Sequence, residues 1–175
     1  MVIDDRGILA GVRFIASPHC DERSNPADIR LIVIHNISLP PGEYGGSGII
    51  ELFTGRLDPA QHPYYAQIHT LRVSAHFLIR RDGEIIQFVP CDKRAWHCGV
   101  SIWQNWERCN DFSLGIELEG DDQTAFTEMQ YHRLQELITC LRTAYGDLPL
   151  AGHSTIAPGR KTDPGPYFDW SRSGS

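Results

Sequence analysis

Ile29-Arg30-Leu31-Ile32-Val33-Ile34 is a short segment that is apolar apart from its arginine and rich in branched side chains. Such a run predicts a strand that is buried at the centre of a sheet. The run ends in His35-Asn36, where polar residues begin. A histidine at the end of a buried strand is held on rigid backbone at the mouth of a pocket, which suits a metal ligand. The alternative is a histidine whose nitrogens are satisfied by local hydrogen bonds.

The clearest local signals around this segment are a hairpin and a long helix. Residues 75–79 and 84–89 flank an Arg-Arg-Asp-Gly turn, and Asp-Gly between two strand-like runs is typical of a tight hairpin. Residues 127–145 carry apolar side chains at helical spacing, and Thr127 with Gln130 forms a capping-box pattern at their start. We expect this helix to cover one face of the sheet.

Residues 112–119 read Phe-Ser-Leu-Gly-Ile-Glu-Leu-Glu and alternate with the period of two that a strand requires. The leucines and the isoleucine share one face, and Glu117 and Glu119 share the other. A carboxylate on such a strand can face solvent without consequence. It can also face a polar cavity, where its pKa rises toward the range of a general base.

The run Gly-His-Ser-Thr-Ile-Ala-Pro-Gly-Arg-Lys-Thr-Asp-Pro-Gly, residues 152–165, predicts a loop at the edge of the core, because its glycines and prolines exclude a long helix or a central strand. Within it, His153 and Asp163 offer a nitrogen and an oxygen that zinc accepts. A third ligand has to come from elsewhere, and His35 competes with His76, which ranks lower because it has no loop partner nearby. The alternative is that Asp163 caps a turn and His153 is a surface residue.

Length, composition and charge exclude several classes of function. The 175 residues suit one domain, and 41% hydrophobic with 22% charged residues is typical of a soluble protein with a core. A net charge of -6 without a basic tract argues against nucleic acid as a partner. The longest apolar run, residues 31–34, is far too short for membrane insertion.

The amino terminus and the cysteines favour the cytoplasm. The first residues, Met-Val-Ile-Asp-Asp-Arg, are acidic and lack the apolar segment of a secretory signal. The five cysteines are odd in number and contain no C-x-x-C motif, which fits free thiols in a reducing compartment. We therefore expect a cytoplasmic protein, and a monomer.

Three tryptophans, Trp96, Trp103 and Trp106, lie close together in a glycine-containing region after the hairpin. Indoles stack well on the faces of sugars and on apolar ligands. Packing of these side chains against the hairpin is the alternative.

Five motifs that follow one another along the chain resemble those of the bacterial 1,6-anhydro-N-acetylmuramyl-L-alanine amidases. The wider group takes in phage amidases and peptidoglycan recognition proteins. Each motif alone is weakly specific, but their combination is highly specific and spans nearly the whole chain. The motifs are Ile32-Val33-Ile34-His35-Asn36, Ser74-Ala75-His76-Phe77-Leu78-Ile79, Arg94-Ala95-Trp96-His97-Cys98-Gly99, Asn-Asp-Phe-Ser-Leu-Gly-Ile-Glu-Leu-Glu-Gly at residues 110–120, and Gly152-His153 through Lys161-Thr162-Asp163-Pro164-Gly165.

The resemblance implies an α+β fold, with a single amidase domain over residues 1–175 and a central mixed β-sheet flanked by helices, as in zinc amidases and peptidoglycan recognition proteins. It also implies one Zn²⁺ per chain. The residues that it assigns to zinc are His35, His153 and Asp163, and those that it assigns to catalysis are Glu117 and Lys161.

The resemblance suggests the substrate contacts as well. Asn36 and Trp96 are expected to lie against the anhydro sugar, and Arg72 and Arg108 to meet carboxylates of the stem peptide. The chain departs from some members of the family at Cys98, where they have alanine, and in a short or missing carboxy-terminal tail. Neither departure touches a catalytic residue.

The chemistry of amide hydrolysis is consistent with these assignments. The reaction needs an activated water, a polarised carbonyl and a proton for the leaving amine. Two histidines and an aspartate leave a fourth position on zinc for water, whose pKa falls toward about 7. Glu117 would take the water proton and pass it to the amine.

Lys161 precedes Asp163 by two residues, so extended backbone would point both side chains the same way. The ammonium of Lys161 could then stabilise the oxyanion that forms on the carbonyl. The alternative for Lys161 is a solvated loop charge.

We therefore expect an enzyme that binds a small-molecule anhydro-muropeptide in cell-wall recycling. It would cut the amide between the lactyl group of anhydro-N-acetylmuramic acid and L-alanine. A non-catalytic module that binds or senses peptidoglycan fragments is the second hypothesis. Such a module can lack a zinc ligand, whereas His35, His153, Asp163 and Glu117 are all present. An exported amidase acting on polymeric wall is disfavoured because no signal segment is seen.

Overall fold

The central strand predicted at residues 29–34 is present, but it starts later and continues into the polar residues. In the computed structural model, which describes residues 1–174, this strand spans Leu31–Ile37. It continues through His35 and Asn36 because a parallel neighbour pairs with it along its whole length. Both polar side chains are therefore held by strand backbone rather than by a loop. Ser175, the last residue of the predicted domain, lies outside the described residues.

Residues 1–174 form ten strands and four α-helices. The strands are β1 (Arg13–Phe14), β2 (Cys20–Glu22), β3 (Leu31–Ile37), β4 (Phe77–Ile79), β5 (Ile85–Gln87), β6 (Lys93–Ala95), β7 (Ile102–Trp103), β8 (Trp106–Glu107), β9 (Ser113–Glu119) and β10 (Leu150–Gly152). The helices are α1 (Gly48–Phe53), α2 (Pro63–Ile68), α3 (Glu128–Tyr145) and α4 (His153–Ile156), with single 3₁₀ turns at Cys109–Asp111 and Trp170–Arg172.

Six strands form one mixed sheet in the order β1-β5-β4-β9-β3-β10. The strands β4 and β5 are the antiparallel arms of the predicted Asp-Gly hairpin, and the other neighbouring pairs are parallel. The pairs β2–β6 and β7–β8 form two small antiparallel ribbons outside this sheet. Together with the helices, this arrangement confirms the predicted α+β fold with a central mixed sheet.

Alternation along the two central strands sorts their side chains between the faces of the sheet. The apolar residues on one face pack with buried residues of α3, and they are Ile32, Ile34, Leu114, Ile116 and Leu118. His35 and Glu117 occupy the intervening positions, so they point to the opposite face. The alternation therefore separates the core under α3 from the face that carries the polar residues.

The helix α3 begins as the sequence predicts. Thr127 Oγ1 accepts a hydrogen bond from Gln130 N–H at 3.1 Å, and Gln130 Oε1 accepts one from Thr127 N–H at 3.0 Å. This reciprocal pair satisfies two donors that a helix start would otherwise leave free.

Helices α1 and α2 pack against the other face of the sheet, where Leu78 and Ile86 contact their buried side chains. The helix α2 has only six residues, too few for the sequence to show a helical period. Pro63 is the first residue of the helix, where the missing N–H needs no partner. The ring of His62 accepts a hydrogen bond from Tyr64 N–H at 3.0 Å and so caps the helix.

Two further expectations can be compared with residues 1–174. In this part of the chain, we find no helix with the length and apolar character needed to cross a membrane. All five cysteines are free thiols, as predicted, and only Cys20 among them is not buried.

Candidate metal centre and active site

Neighbouring parallel strands end at one edge of the sheet, and polar residues from separate motifs meet there. His35 on β3 lies opposite Glu117 on β9 in the strand register. The strand β10 pairs with β3 up to Gly152 and Ile34, so His153 follows directly beside His35. Crevices at the carboxyl ends of parallel strands are common binding sites in such sheets.

The three residues predicted to bind zinc form a tight group. His35 Nδ1 lies 3.0 Å from His153 Nδ1 and 2.9 Å from Asp163 Oδ2, and His153 Nδ1 lies 3.0 Å from the same oxygen. The backbone carbonyl of Asp163 accepts a hydrogen bond from Ser154 N–H at 2.9 Å, which ties the loop to α4. The structure therefore brings one strand, one helix start and one loop to a single point.

The atoms of this group fit a zinc ion in type and in spacing. Zinc takes imidazole nitrogen and carboxylate oxygen at about 2.0–2.2 Å, so tetrahedral ligands lie roughly 3.3 Å apart. The observed triangle would need to widen by only about 0.3 Å to match. In addition, His153 Nε2 donates to the Cys98 carbonyl at 3.0 Å, which leaves the lone pair of a neutral imidazole on Nδ1, facing the group.

The protonation states favour a cation at this point. Burial lowers the pKa of His35 to about 4, so its imidazole is neutral at pH 7. Burial raises the pKa of Asp163, but contacts with His153 and His35 outweigh burial and hold that pKa below its usual value. A metal ion requires neutral imidazoles and an ionised carboxylate.

Glu117 contributes a carboxylate oxygen without a partner. Its side chain is buried, and no group among residues 1–174 hydrogen-bonds to Oε2. Burial, followed by the negative charge of Asp163, raises the pKa of Glu117 well above its usual value, while Lys161 opposes the shift. A buried polar atom without a partner is rare, and a perturbed pKa in a cleft marks a candidate acid or base.

A cleft of about 360 Å³ joins these groups. This volume lies in the range of small-molecule sites. The side chain of Lys161 is exposed, and it lines the cleft together with Glu117 and Asp163. Asn36 and Trp96, both predicted to meet the sugar, line the same cleft.

Asn36 and Trp96 differ in what they leave free for a ligand. Asn36 Nδ2 donates to Asp122 Oδ1 at 2.8 Å and to the Pro164 carbonyl at 3.0 Å. The amide nitrogen therefore holds the loop that carries Asp163, and the amide oxygen Oδ1 remains free to accept from a sugar. The indole of Trp96 stacks on the ring of His19, with centroids 6.2 Å apart and an interplanar angle of 13°. This stacking fixes the indole at the wall of the cleft.

The two arginines predicted to meet the stem peptide do not line this cleft. Arg72 is exposed and borders a neighbouring pocket with Trp96, as well as a smaller pocket that reaches His97. Arg108 is exposed and pairs with Asp111 at 3.1 Å. Arg72 therefore lies beside Trp96 at the edge of the cleft, whereas Arg108 lines a separate pocket with Arg160.

His76, the competing ligand from the sequence, lies outside the metal group. Its Nδ1 accepts a hydrogen bond from Gly115 N–H at 3.0 Å, and its Nε2 lies 3.1 Å from the Lys93 carbonyl. These backbone partners use both ring nitrogens, so His76 joins β9 to the first residue of β6. His76 is therefore a buried residue of the core in the described structure.

A second set of ligand atoms, from His35, His97 and Cys98, also lies within 4.8 Å. This set shares His35 with the first, but its Cys98 does not line the cleft, whereas all three members of the first set do. Burial raises the pKa of the Cys98 thiol well above its usual value, which keeps the sulfur protonated at neutral pH. The set that opens on the cleft is therefore the one suited to hydrolysis.

Sequence reasoning missed Arg160. Its Nη2 donates to the carbonyls of Cys98 and Val100, each at 2.6 Å. The side chain thus joins the loop after Trp96 to the loop that carries Asp163. A loop arginine beside Lys161 carries no periodic or motif signal that predicts such a contact.

Comparison with known proteins agrees with this geometry. Residues 25–166 match the N-acetylmuramoyl-L-alanine amidase family. The chain belongs to this family. Its members are hydrolases that act on a linear amide, so the chain is an amidase by family.

Two AmpD proteins resemble this amidase over nearly its whole length. The 1,6-anhydro-N-acetylmuramyl-L-alanine amidase AmpD of Escherichia coli (strain K12) is 58% identical over 170 residues, which cover 96% of this amidase and 93% of that protein. A crystal structure of a selenomethionine derivative of AmpD matches with a TM-score of 0.96 at 58% identity, over 99% of this amidase and 97% of that chain. These matches confirm the predicted family and fold.

A more distant structure contains a ligand. It is the complex of the N-acetylmuramyl-L-alanine amidase AmiD from E. coli with the substrate anhydro-N-acetylmuramic acid-L-Ala-D-gamma-Glu-L-Lys. It matches with a TM-score of 0.61 at 27% identity, over 97% of this amidase and 60% of that chain.

Proposed function

We propose that this amidase hydrolyses the amide between anhydro-N-acetylmuramic acid and the L-alanine of the stem peptide, in cell-wall recycling. One observation carries the proposal. The group formed by His35, His153 and Asp163 opens on the cleft that also holds the unpartnered carboxylate oxygen of Glu117. The similarity to AmpD over nearly the whole of both chains supports the choice of substrate, and so does the ligand in the AmiD complex.

We infer that the resident metal is one Zn²⁺, with His35 Nδ1, His153 Nδ1 and Asp163 Oδ2 as its protein ligands. Bound zinc supplies an acidified water and polarises the scissile carbonyl. The donor set supports this inference, because two imidazoles and one carboxylate are common ligands of catalytic zinc and leave a position open.

Proton transfer falls to Glu117 in this proposal. Its Oε2 accepts a proton from the attacking water and delivers it to the amine nitrogen as the carbon–nitrogen bond breaks. A raised pKa suits both steps, because the carboxylate is then a stronger base than an exposed one. The ammonium of Lys161, on the wall of the same cleft, stabilises the negative charge that develops on the carbonyl oxygen.

Substrate contacts extend outward from these groups. We propose that the indole of Trp96 and Oδ1 of Asn36 meet the anhydro sugar, since both line the cleft. We propose that Arg72, which borders the pocket beside Trp96, meets a stem-peptide carboxylate, because an exposed guanidinium can form a bidentate contact, and that Arg108 meets another.

The alternative, a module that binds fragments without hydrolysing them, accounts less well for the site. Binding alone does not require a buried carboxylate oxygen without a partner, which costs stability. Glu117 is such a group, and it lies beside a complete set of metal ligands. The catalytic function is therefore favoured.

We further propose a cytoplasmic, monomeric enzyme with a single catalytic domain. The free thiols support a reducing compartment. The metal ligands and the proposed base all come from one chain and one sheet edge, so the site is complete within one copy.

Zinc content gives the direct test of the metal site. Protein purified without chelators is expected to contain one zinc per chain by elemental analysis. Replacing His35, His153 or Asp163 by alanine should remove tightly held zinc, because each change deletes a ligand. The matched control is His132→Ala on the exposed face of α3, which should keep its zinc. Absence of tightly held zinc in the native protein, or zinc that is lost only with His97 or Cys98, would contradict the assignment.

Trp96→Ala is expected to weaken handling of the sugar more than it weakens folding. Losing the indole removes a stacking surface, so kcat/KM on the anhydro-muropeptide should fall by about 10-fold, the order of one stacking contact. A lactyl peptide without the sugar should be much less affected. Trp106→Ala, at an exposed indole outside the cleft lining, is the control. If native enzyme cleaves both substrates equally well, the indole has no role in sugar recognition.

A further inference from the structure

Besides its contact with the metal group, His35 has a second contact on the other side of its ring. His35 Nε2 lies 2.9 Å from His97 Nδ1. His97 Nε2 lies 3.3 Å from Ser113 Oγ, and Ser113 Oγ donates to the Cys109 carbonyl at 2.6 Å. These four groups form a buried chain that leads away from the cleft.

The far end of this chain fixes the direction of every hydrogen bond in it. A backbone carbonyl only accepts, so the single hydroxyl proton of Ser113 is used by Cys109. Ser113 Oγ must then accept from His97, which puts the His97 proton on Nε2 and the lone pair on Nδ1. That lone pair accepts from His35 Nε2–H. His35 Nδ1 is therefore left unprotonated, with its lone pair toward the metal group.

One other contact agrees with this direction. Cys98 Sγ lies 3.2 Å from His97 Nδ1, where a thiol can donate its proton to a ring nitrogen. This contact is satisfied when the lone pair of His97 is on Nδ1.

The strand beneath His97 is shaped to accept the ring. A Cβ added at Gly115 of β9 would lie 2.6 Å from both Cγ and Nδ1 of His97, far closer than van der Waals contact. The backbone is held as well, because Asn110 Oδ1 accepts from the N–H groups of His97 (3.1 Å) and Cys98 (2.8 Å). The position of the imidazole is therefore specified from below and from the side.

We propose that His97, anchored by Ser113, is a positioning residue that holds His35 in the Nε2–H tautomer and so prepares its Nδ1 as a metal ligand. The two ligand histidines are thus fixed by different means. His153 is fixed by one backbone carbonyl, and His35 by a chain of two side chains that ends on a carbonyl. The inference rests on the proposed metal site, and it adds two residues outside the ligand set to what that site needs.

The test measures zinc affinity by competition with a chelator, and it measures the tautomer of His35 in zinc-free protein by nitrogen NMR of the imidazoles. His97→Leu removes the acceptor and is expected to weaken zinc binding by about 10- to 100-fold, with loss of the pure Nε2–H form of His35. His97→Asn can place Oδ1 where Nδ1 stood, so it should restore most of the affinity. Ser113→Ala should show a smaller loss of about 10-fold or less.

Ser173→Ala is the matched control, because Ser173 is also a buried serine whose hydroxyl donates to a backbone carbonyl, that of Trp170 at 2.7 Å, but it contacts none of His35, His97, Ser113 and Cys109. It should leave zinc affinity and the His35 tautomer unchanged.

Native-like affinity in His97→Leu, or His35 found with its proton on Nδ1 in the native protein, would overturn the proposal. If His97→Leu does not fold, the native tautomer and Ser113→Ala still decide. If native protein holds no zinc, the proposed function fails, while the tautomer measurement judges the positioning role separately.

Discussion

Glu117→Gln is expected to keep its fold and its zinc and to lose about 10²- to 10⁴-fold in kcat, the range supplied by a positioned acid–base group. Glutamine has nearly the same shape, but its amide cannot take the proton of the attacking water. Turnover of a purified anhydro-muropeptide, followed by chromatography of the released peptide, measures the loss. Elemental analysis of the same sample shows whether the zinc is retained.

Stability should change in the opposite direction. The pKa of Glu117 is raised in the folded protein, so ionising this carboxyl at pH 7 costs free energy in the fold that the unfolded chain does not pay. Glutamine carries no charge and avoids that cost. The free energy of unfolding of zinc-free Glu117→Gln protein at pH 7 should therefore exceed that of the native chain. Lower activity with higher stability is the pattern of a residue kept for function.

Glu119 provides a control on the same strand and the same face. Its carboxylate accepts hydrogen bonds from Gly45 N–H at 2.7 Å and Arg81 N–H at 3.1 Å, so it holds two loops. Glu119→Gln should cost about 1–3 kcal/mol of stability and leave kcat of the folded enzyme close to native. Near-native turnover in Glu117→Gln would remove Glu117 from proton transfer.

The parts of the fold that could be predicted are those that local chemistry determines. The Asp-Gly hairpin, the alternating strand β9 and the capped helix α3 each carry their signal within a few residues. The strand β10 is only three residues long and pairs with β3 across the fold, so it has no period to detect. The helix α2 is only six residues long and begins at a proline, so it too has no period from which to predict it.

The predicted metal ligands meet because their strands are parallel and end together, but the residues that support them could not be predicted in the same way. The contact between His35 and His97 joins positions 62 residues apart, and it depends on a loop without periodicity. One signal was available. Gly115 interrupts an otherwise well-formed strand, and a glycine there indicates that another group approaches the backbone closely. The sequence does not say which group that is.

Lys161→Ala is expected to lower kcat and kcat/KM together by about 100-fold or more, the scale of losing one oxyanion donor. A lysine that only held substrate in the ground state would instead raise KM with little change in kcat. Lys161→Arg should restore little, because a planar guanidinium does not place its charge where a compact ammonium does. Steady-state kinetics on the anhydro-muropeptide distinguish these patterns.

The metal loop should survive the change, which makes the result interpretable. The contact that Lys161 makes within its turn is through backbone, N–H to the Ala157 carbonyl at 3.1 Å, and alanine keeps it. Asp163 is held separately by Ser154. The matched control is Lys93→Ala, which removes the other lysine of the chain from a surface pair with Glu22 at 2.8 Å and should leave kcat unchanged. Zinc is measured in every variant.

The pH dependence separates two ways in which Lys161 could act. Its positive charge lowers the pKa of Glu117, so removing it raises that pKa further and leaves more of the base protonated at pH 7. If this were the whole effect, activity of zinc-replete Lys161→Ala would return to the native value as the pH rises and Glu117 ionises. Direct stabilisation of the oxyanion is lost at every pH, so the deficit in kcat should persist at high pH. A deficit that disappears would make Lys161 a modulator of Glu117, and a kcat near native at all pH values would make it a solvated loop charge.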